Sequence, residues 1–125
     1  MRLSRVMIAV IWTLIFMMFV FTHNVNAKVL TKKGGINTFE GHHETWYNLS
    51  MDKVIARSDA LIGMTDLYNI REDGVKCYGP FVIVAADPRV HRRFTFVETS
   101  LGTGIVLDVH TTDNDPELID IATNW

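Results

Sequence analysis

Two aspartates stand inside apolar segments near the end of the chain, where buried strands are expected. Asp108 lies within residues 105–109 and Asp120 lies within residues 118–123. Side chains alternate across a strand, so each aspartate points to the less apolar face of its segment. An antiparallel hairpin centred on Asn114 would pair residue 108 with residue 120, with Cβ atoms about 5 Å apart.

Carboxylates that lie this close favour acid–base chemistry. Like charges repel and burial disfavours the charged form, so one of the two carboxyl groups would keep its proton to a higher pH. A protonated carboxyl near neutral pH is what a general acid needs, and glycosidic bonds are a substrate class that requires one. Alternatively, each aspartate caps a turn or pairs with an arginine such as Arg71, Arg89, Arg92 or Arg93. Spacing alone favours this second, structural interpretation.

The N-terminal segment has the pattern of a secretory signal peptide. Arg2 and Arg5 flank the start of an apolar run over residues 6–21, and Val-Asn-Ala at 25–27 offers compact residues for signal peptidase. The run is slightly shorter than the about 20 residues that span a membrane, and an uncleaved anchor is the alternative. The sequence therefore predicts a secreted or cell-envelope protein that contacts a membrane only through residues 1–27, if these are uncleaved.

The exported part is mildly acidic and contains one cysteine. The chain has 12 basic and 14 acidic residues, and two of the basic ones lie within residues 1–27, so the remainder has a formal charge of −4. Nucleic-acid binding needs a basic surface, so nucleic acid is not an expected partner. Cys77 has no second cysteine with which to form a disulfide within the chain, so an apolar core must hold the domain together. We expect a monomer.

The apolar pattern predicts a mainly β domain over residues 42–125, preceded by a polar linker over residues 28–41. A helix is expected between Ser50, as its N-cap, and Gly63, as its stop. Residues 81–86 form a continuous apolar run, which is typical of a strand buried on both faces. Six short strands with tight turns and one short helix favour a small β-barrel. The predicted strands are residues 44–49, 67–71, 81–86, 94–99, 105–109 and 118–123.

Two metal sites suggested by the sequence are not favoured. The run His42-His43-Glu44 suggests zinc, but adjacent histidines in a strand point to opposite faces. A second acidic group could offer oxygen ligands to calcium, but it lacks the glycine and the spacing of an EF-hand loop. Its members are Asp113, Asp115 and Glu117. No metal and no cofactor are therefore predicted.

Several motifs resemble a known family. “VIVAADPRV” (82–90), “GTGIVLD” (102–108) and “LIDIA” (118–122) resemble the 3D domain of bacterial cell-wall proteins, which is named for three aspartates. The same domain is the catalytic double-psi β-barrel of membrane-bound lytic transglycosylase A. Asp87, Asp108 and Asp120 match the three aspartates in order. “GHHETWYNL”, “DGVKCYG” and “VETSLGTGIVLD” also look like segments of small exported proteins of Firmicutes and their phages.

The resemblance implies a fold and an activity. The fold would be a six-stranded double-psi β-barrel, and the activity would be lytic cleavage between N-acetylmuramic acid and N-acetylglucosamine in peptidoglycan, with a 1,6-anhydro product. Asp120 would be the acid/base and Asp108 its partner. Thr45 and Tyr47 would line the glycan groove. The predicted substrate-binding set also includes Asp87 and His110.

The segment between the last two aspartates departs from the family pattern. The family usually has a glycine-rich bridge of the form Gly-Gly-Ala-Ile-x-Gly, whereas this chain has “VHTTDNDPEL” over residues 109–118, without glycine. Glycines let a backbone approach a ligand closely. Related double-psi barrels such as expansins bind polysaccharide with little cleavage. A non-catalytic cell-wall glycan-binding module on the same barrel is therefore the alternative function, and whether the protein is an enzyme stays open.

Overall fold

The computed structural model describes residues 28–125, together with Ser4, Arg5, Met7, Ala9 and Val10. The signal peptide or anchor predicted over residues 1–27 thus lies almost wholly outside the described residues. Within the described part, no helix is long and apolar enough to cross a membrane.

Residues 28–125 are mainly β, with eight strands and one helix, α1. The elements in chain order are β1 Ile36–Phe39, β2 His42–Tyr47, α1 Asp52–Ile62, β3 Tyr68–Ile70, β4 Lys76–Tyr78, β5 Phe81–Ala86, β6 Phe96–Thr99, β7 Gly102–Val109 and β8 Ile119–Ala122.

The helix confirms its predicted end and corrects its predicted start. Gly63 follows α1 in the left-handed conformation (φ 75°), and its N–H donates to the Asp59 carbonyl. The N-cap is Met51, whose side chain forms no capping hydrogen bond. Ser50 stands one residue too early for a cap, although its Oγ accepts a 3.3 Å hydrogen bond from the Asp52 N–H. Val54 faces the core and holds α1 against the sheet.

The sheet is organised around β5. This strand pairs in parallel with β7 along one edge, while β4 and β8 share its other edge in antiparallel orientation. Beyond β8 lies β2 in parallel and then β1, while β3 pairs with β4 and β6 pairs with β7. Residues 82–86 are buried, which confirms the prediction of a strand covered on both faces.

The predicted hairpin between the last two strands is wrong. β7 and β8 lie on opposite edges of β5, so residues 108 and 120 belong to different neighbours of the same strand. Sequence proximity suggested a local hairpin, but β5 takes a hydrogen-bonded partner on each edge and so separates β7 from β8. Eight strands also replace the predicted six, because β1 and β4 were not expected.

The predicted linker over residues 28–41 contains structure that belongs to the domain. β1 pairs antiparallel with β2, and Leu30 is 2 % exposed within the core. The two strands are joined by Glu40 and Gly41, both with positive φ (46° and 83°). This is the backbone of a tight hairpin turn, in which Asn-Gly or Asp-Gly is the usual signal. Because Glu40 takes the place of Asn or Asp, the turn was not visible in the sequence.

The core has two parts, one on each face of the sheet. One cluster includes Val84, Ile119 and Ile121 and extends to Leu30 and Trp46. The other cluster includes Ile83, Ile105 and Leu107 and packs beneath Met51 and Val54, at and near the start of α1. The second face also carries the two aspartates.

Candidate functional site

Asp108 and Asp120 flank the same residue of the central strand. Ala85 of β5 pairs with Asp108 of β7 on one side and with Asp120 of β8 on the other. Residues paired across strands direct their side chains to the same face, so both carboxyl groups lie on one face of the sheet. Their backbones are two strand spacings apart, about 10 Å. We name the face that carries Thr45, Tyr47, Asp108 and Asp120 the carboxylate face.

A bulge in β7 directs Asp108 to the carboxylate face. The register with β5 shifts between Val84, which pairs with Val106, and Ala85, which pairs with Asp108, so that Leu107 is the extra residue. In a regular ladder Asp108 would oppose Ala86 and point to the opposite face of the sheet, into the cluster that contains Val84 and Ile121. Bulges recur beside functional sites because one added residue changes the direction of the next side chain.

Asp120 is held by a threonine of the neighbouring strand. Thr45 of β2 is its direct partner in the parallel ladder, and Thr45 Oγ1 donates a 2.9 Å hydrogen bond to Asp120 Oδ1. Burial raises the pKa of Asp120, and the negative charge of Asp108 acts in the same direction, while the Thr45 hydrogen bond and the charge of His110 oppose the shift. The direction is the one expected from the sequence, although burial contributes more than the neighbouring carboxylate.

Asp108 is held by a tyrosine that reaches across the face. Tyr47 Oη donates a 3.2 Å hydrogen bond to Asp108 Oδ2, and the Val109 N–H donates at 2.9 Å to Asp108 Oδ1. Burial, followed by the charge of Asp108, raises the pKa of Tyr47 far above its ordinary value. The phenol therefore stays protonated and remains a donor. The charge of Asp120 raises the Tyr47 pKa in the same direction.

His110 organises the segment that joins β7 to β8. Its Nε2 lies 2.8 Å from the Leu118 carbonyl oxygen and its Nδ1 lies 3.3 Å from Thr112 Oγ1. The His110 N–H donates to the Ala86 carbonyl at 3.2 Å. Both ring nitrogens thus have partners within the segment, so a structural role accompanies the predicted contact with substrate. Its contact with Leu118, two residues before Asp120, places the ring near the carboxylate face.

The same connecting segment is attached to the rest of the domain at two further points. His43 Nδ1 of β2 lies 2.9 Å from Asp115 Oδ2, and Arg89 Nη2 lies 3.6 Å from Asp113 Oδ1. His43 shares its strand face with Thr45, so the first attachment lies beside the carboxylate face. We name residues 109–118 the bridge. It is fixed in place by side chains and contains no glycine that would let a ligand approach its backbone.

Asp87, the third aspartate of the family pattern, directly follows β5, and its partner Arg89 also contacts Asp113 of the bridge. It is 0 % exposed, and its carboxylate accepts hydrogen bonds from Arg89 Nε, Arg89 Nη2 and the Arg89 N–H. These bonds from Arg89 lower the pKa of Asp87 to about 2. The group closes the turn after β5, and both of its oxygens accept hydrogen bonds from Arg89. Asp87 thus has a structural role, and its contact with substrate stays a prediction.

The histidine run in β2 divides between the two faces, as strand geometry requires. His42 and Glu44 face the core, while His43 points to the other side and contacts Asp115. Among the described residues, no three His, Cys, Asp or Glu side chains form a group that could hold a metal ion. A depression of about 310 Å³ lies where β1 pairs with β2, beside His43 and its contact with Asp115. It is lined by Lys28, Ile36, Asn37, Thr38 and His43.

Two charged residues that matter to the structure were not identified from the sequence. Glu44 is fully buried and accepts hydrogen bonds from the Ser100 N–H, Ser100 Oγ and Asn37 Nδ2. Arg57 of α1 contacts the bulge of β7. Glu44 and Trp46 share one face of β2 by strand alternation, so the sequence could have indicated that Glu44 points inward. Nothing in the sequence indicated the bulge, so the partner of Arg57 was not predictable.

Comparisons of the chain with models of protein families, with curated proteins and with solved structures found no match. The resemblance to the 3D-domain family is thus confined to the sequence motifs.

Proposed function

We propose that the protein is an exported lytic transglycosylase that acts on peptidoglycan glycan strands. One observation carries this proposal: a half-buried carboxyl group, Asp120, has a raised pKa and shares a sheet face with a second carboxylate, Asp108. A carboxyl that keeps its proton toward neutral pH is suited to protonate the leaving oxygen of a glycosidic bond.

The proposed fold is the double-psi β-barrel of the 3D-domain family. Parallel pairing of β2 with β8 and of β5 with β7 supports it, because a simple up-and-down barrel has only antiparallel neighbours. The order of the three aspartates, after β5, in β7 and in β8, also agrees with the family pattern. Closure of the sheet into a barrel is part of the proposal.

In the proposed reaction Asp120 acts first as an acid and then as a base. Its carboxyl proton passes to the oxygen that links N-acetylmuramic acid to N-acetylglucosamine, and the bond from the muramic C1 to that oxygen breaks. The muramic C6 hydroxyl oxygen then bonds to C1, and its proton passes to the Asp120 carboxylate. The product is a 1,6-anhydro ring, and no water is consumed.

The neighbouring groups support these two steps. Asp108 lies on the same face, and its negative charge would stabilise positive charge that develops on the sugar. Thr45 fixes the Asp120 carboxyl and Tyr47 fixes the Asp108 carboxylate, so both are oriented before substrate binds. The two backbones are separated by a whole strand, about 10 Å. In the proposed reaction Asp120 is the single acid/base and Asp108 is its partner.

The bridge favours a second candidate function. His110 and the His43–Asp115 pair fix residues 109–118 beside the carboxylate face. A glycan strand would meet side chains there rather than a bare glycine backbone. On this alternative, the protein binds cell-wall glycan on the same face without cleaving it.

The test is digestion of purified peptidoglycan by the wild-type protein and by Asp120→Asn, with 1,6-anhydro-muropeptides detected by mass spectrometry. We expect release by the wild type and a loss of roughly 100-fold or more in the variant, the size of a typical general acid–base contribution. Asp66→Asn is the matched control, because Asp66 is exposed and its positive φ (63°) suits asparagine equally well. Co-sedimentation of both proteins with the wall, without anhydro products, would instead support the binding module.

A further inference from the structure

Arg57 of α1 holds the bulge that directs Asp108. Its Nη2 donates a 3.1 Å hydrogen bond to the carbonyl oxygen of Leu107, the extra residue of the bulge. The contact therefore places a guanidinium one residue away from Asp108. The guanidinium is planar, so its other N–H donors keep a fixed fork geometry relative to the nitrogen that makes this bond.

Among the described residues, no acidic side chain forms an ion pair with Arg57, although Asp108 directly follows its partner Leu107 in β7. Two other arginines are paired, Arg71 with Asp73 and Arg89 with Asp87. Arg57 is exposed, and its one hydrogen bond uses one of the five N–H groups of a guanidinium. Four N–H groups thus remain for a ligand at the edge of the carboxylate face.

Arg57 is a positive charge beside a negatively charged surface. The carboxylate face presents two aspartates, and the chain from residue 28 onward is net acidic. An acidic ligand is repelled by such a surface unless a fixed cation meets it, whereas a neutral glycan needs no cation. Arginine binds carboxylates in a planar, two-pronged geometry that lysine does not reproduce.

We propose that Arg57 binds a carboxylate carried by the glycan ligand, on the lactyl group or the peptide stem of a muramic acid unit. It thereby selects muramic-acid-containing strands over neutral N-acetylglucosamine polymers. The inference rests on the proposed function and adds a specificity-determining residue to it.

The experiment compares the affinities of two soluble ligands of equal sugar length by calorimetry. One is a neutral N-acetylglucosamine tetramer and the other is an alternating tetramer with muramic acid units and their stem carboxylates. All proteins carry Asp120→Asn, so that no ligand is consumed. The variants are Arg57→Gln and Arg57→Lys. Arg93→Gln is the matched control, because Arg93 is exposed and lies outside α1.

We expect Arg57→Gln to weaken binding of the carboxylated tetramer by about 10-fold at low salt, the scale of one charge-assisted hydrogen bond, and to leave the neutral tetramer unchanged. The affinity of Arg57→Lys for the carboxylated tetramer should lie between those of the proteins with Arg57 and with Arg57→Gln, because lysine keeps the charge and lacks the two-pronged geometry of the guanidinium. The difference should shrink as salt is added.

Three results would overturn the inference. Equal weakening for both tetramers would mean that Arg57 only holds the bulge. Unchanged binding of the carboxylated tetramer by Arg57→Gln would mean that no ligand carboxylate reaches it. If the protein with native Arg57 binds neither tetramer, the proposed function fails, and the inference fails with it.

Discussion

Glu44 and Asp87 are fully buried, whereas Asp108 and Asp120 are half-buried, and the two groups differ further in the hydrogen bonds that they accept. Glu44 and Asp87 each accept three or more hydrogen bonds, from Ser100 and Asn37 in one case and from Arg89 in the other. Asp120 accepts one from Thr45, and Asp108 accepts one from Tyr47 and one from the Val109 N–H.

The comparison separates carboxylates that build the fold from those that are available for chemistry. A buried carboxylate stays charged only when donors replace the water that it has lost. Glu44 and Asp87 have those donors and are thereby committed to the structure. Asp120 lacks them, so burial raises its pKa instead. In this protein an incomplete set of partners, rather than depth of burial, marks the candidate acid.

The largest expected effect is the loss of the Glu44 carboxylate. We expect Glu44→Ala to lower the free energy of unfolding by about 3 kcal/mol, because it leaves the partly buried donors of Ser100 and Asn37 without their acceptor. Urea denaturation measures the change, and Glu72→Ala in an exposed turn is the control. A loss as small as that of the control would mean that Glu44 is not part of the structural group.

The acid sensitivity of the fold should depend on Asp87. The folded-state pKa is lowered to about 2, from an ordinary value of 3.8, so its stabilising contribution is complete above pH 4 and is lost as pH falls toward 2. Asp87→Asn should therefore lower the melting temperature at pH 7 and flatten the decline between pH 4 and 2. Thermal unfolding at several pH values measures both effects. Parallel pH curves for wild type and variant would contradict the assignment.

The smallest effect should have the opposite sign and concerns Asp120. Its folded-state pKa is raised above the ordinary value of 3.8. Between that value and the raised pKa the folded protein binds more protons than the unfolded chain, so stability falls as pH rises through this range. Asp120→Asn should thus stabilise the fold at pH 7 by less than about 1 kcal/mol, since partial exposure screens the charge. The gain should vanish near pH 3. If Asp120→Asn were destabilised at pH 7, the Asp120 carboxylate would stabilise the fold, as those of Glu44 and Asp87 do.

Features set by local physics were predictable from the sequence. The continuous apolar run of β5 and the end of α1 at Gly63 depend on residues that lie next to one another in the chain. The strand partners did not follow, because β8 finds its neighbours in β2 and β5 rather than in β7. β1 was concealed by Glu40 in a turn that usually holds Asn or Asp.

The candidate site was predicted in composition and only partly in geometry. Thr45, Tyr47 and the two aspartates do meet on one face, and His110 lies near them. The reason is a shared pairing with Ala85 and a bulge at Leu107, neither of which leaves a pattern in one sequence. Arg57 escaped notice for the same reason, because its partner is a backbone carbonyl that only the bulge makes available.

The parallel pairing of β2 with β8 also sets the order in which this surface can come into being. Thr45 and Asp120 are 75 positions apart in the chain, and β8 must pair with β2 before these two side chains can touch. Contacts of such long range form late, because the loop must close before the contact stabilises it. A growing chain held by the ribosome, with residue 120 still unmade, therefore has no carboxylate face at all. Any activity of this face begins only after synthesis has passed the last strand.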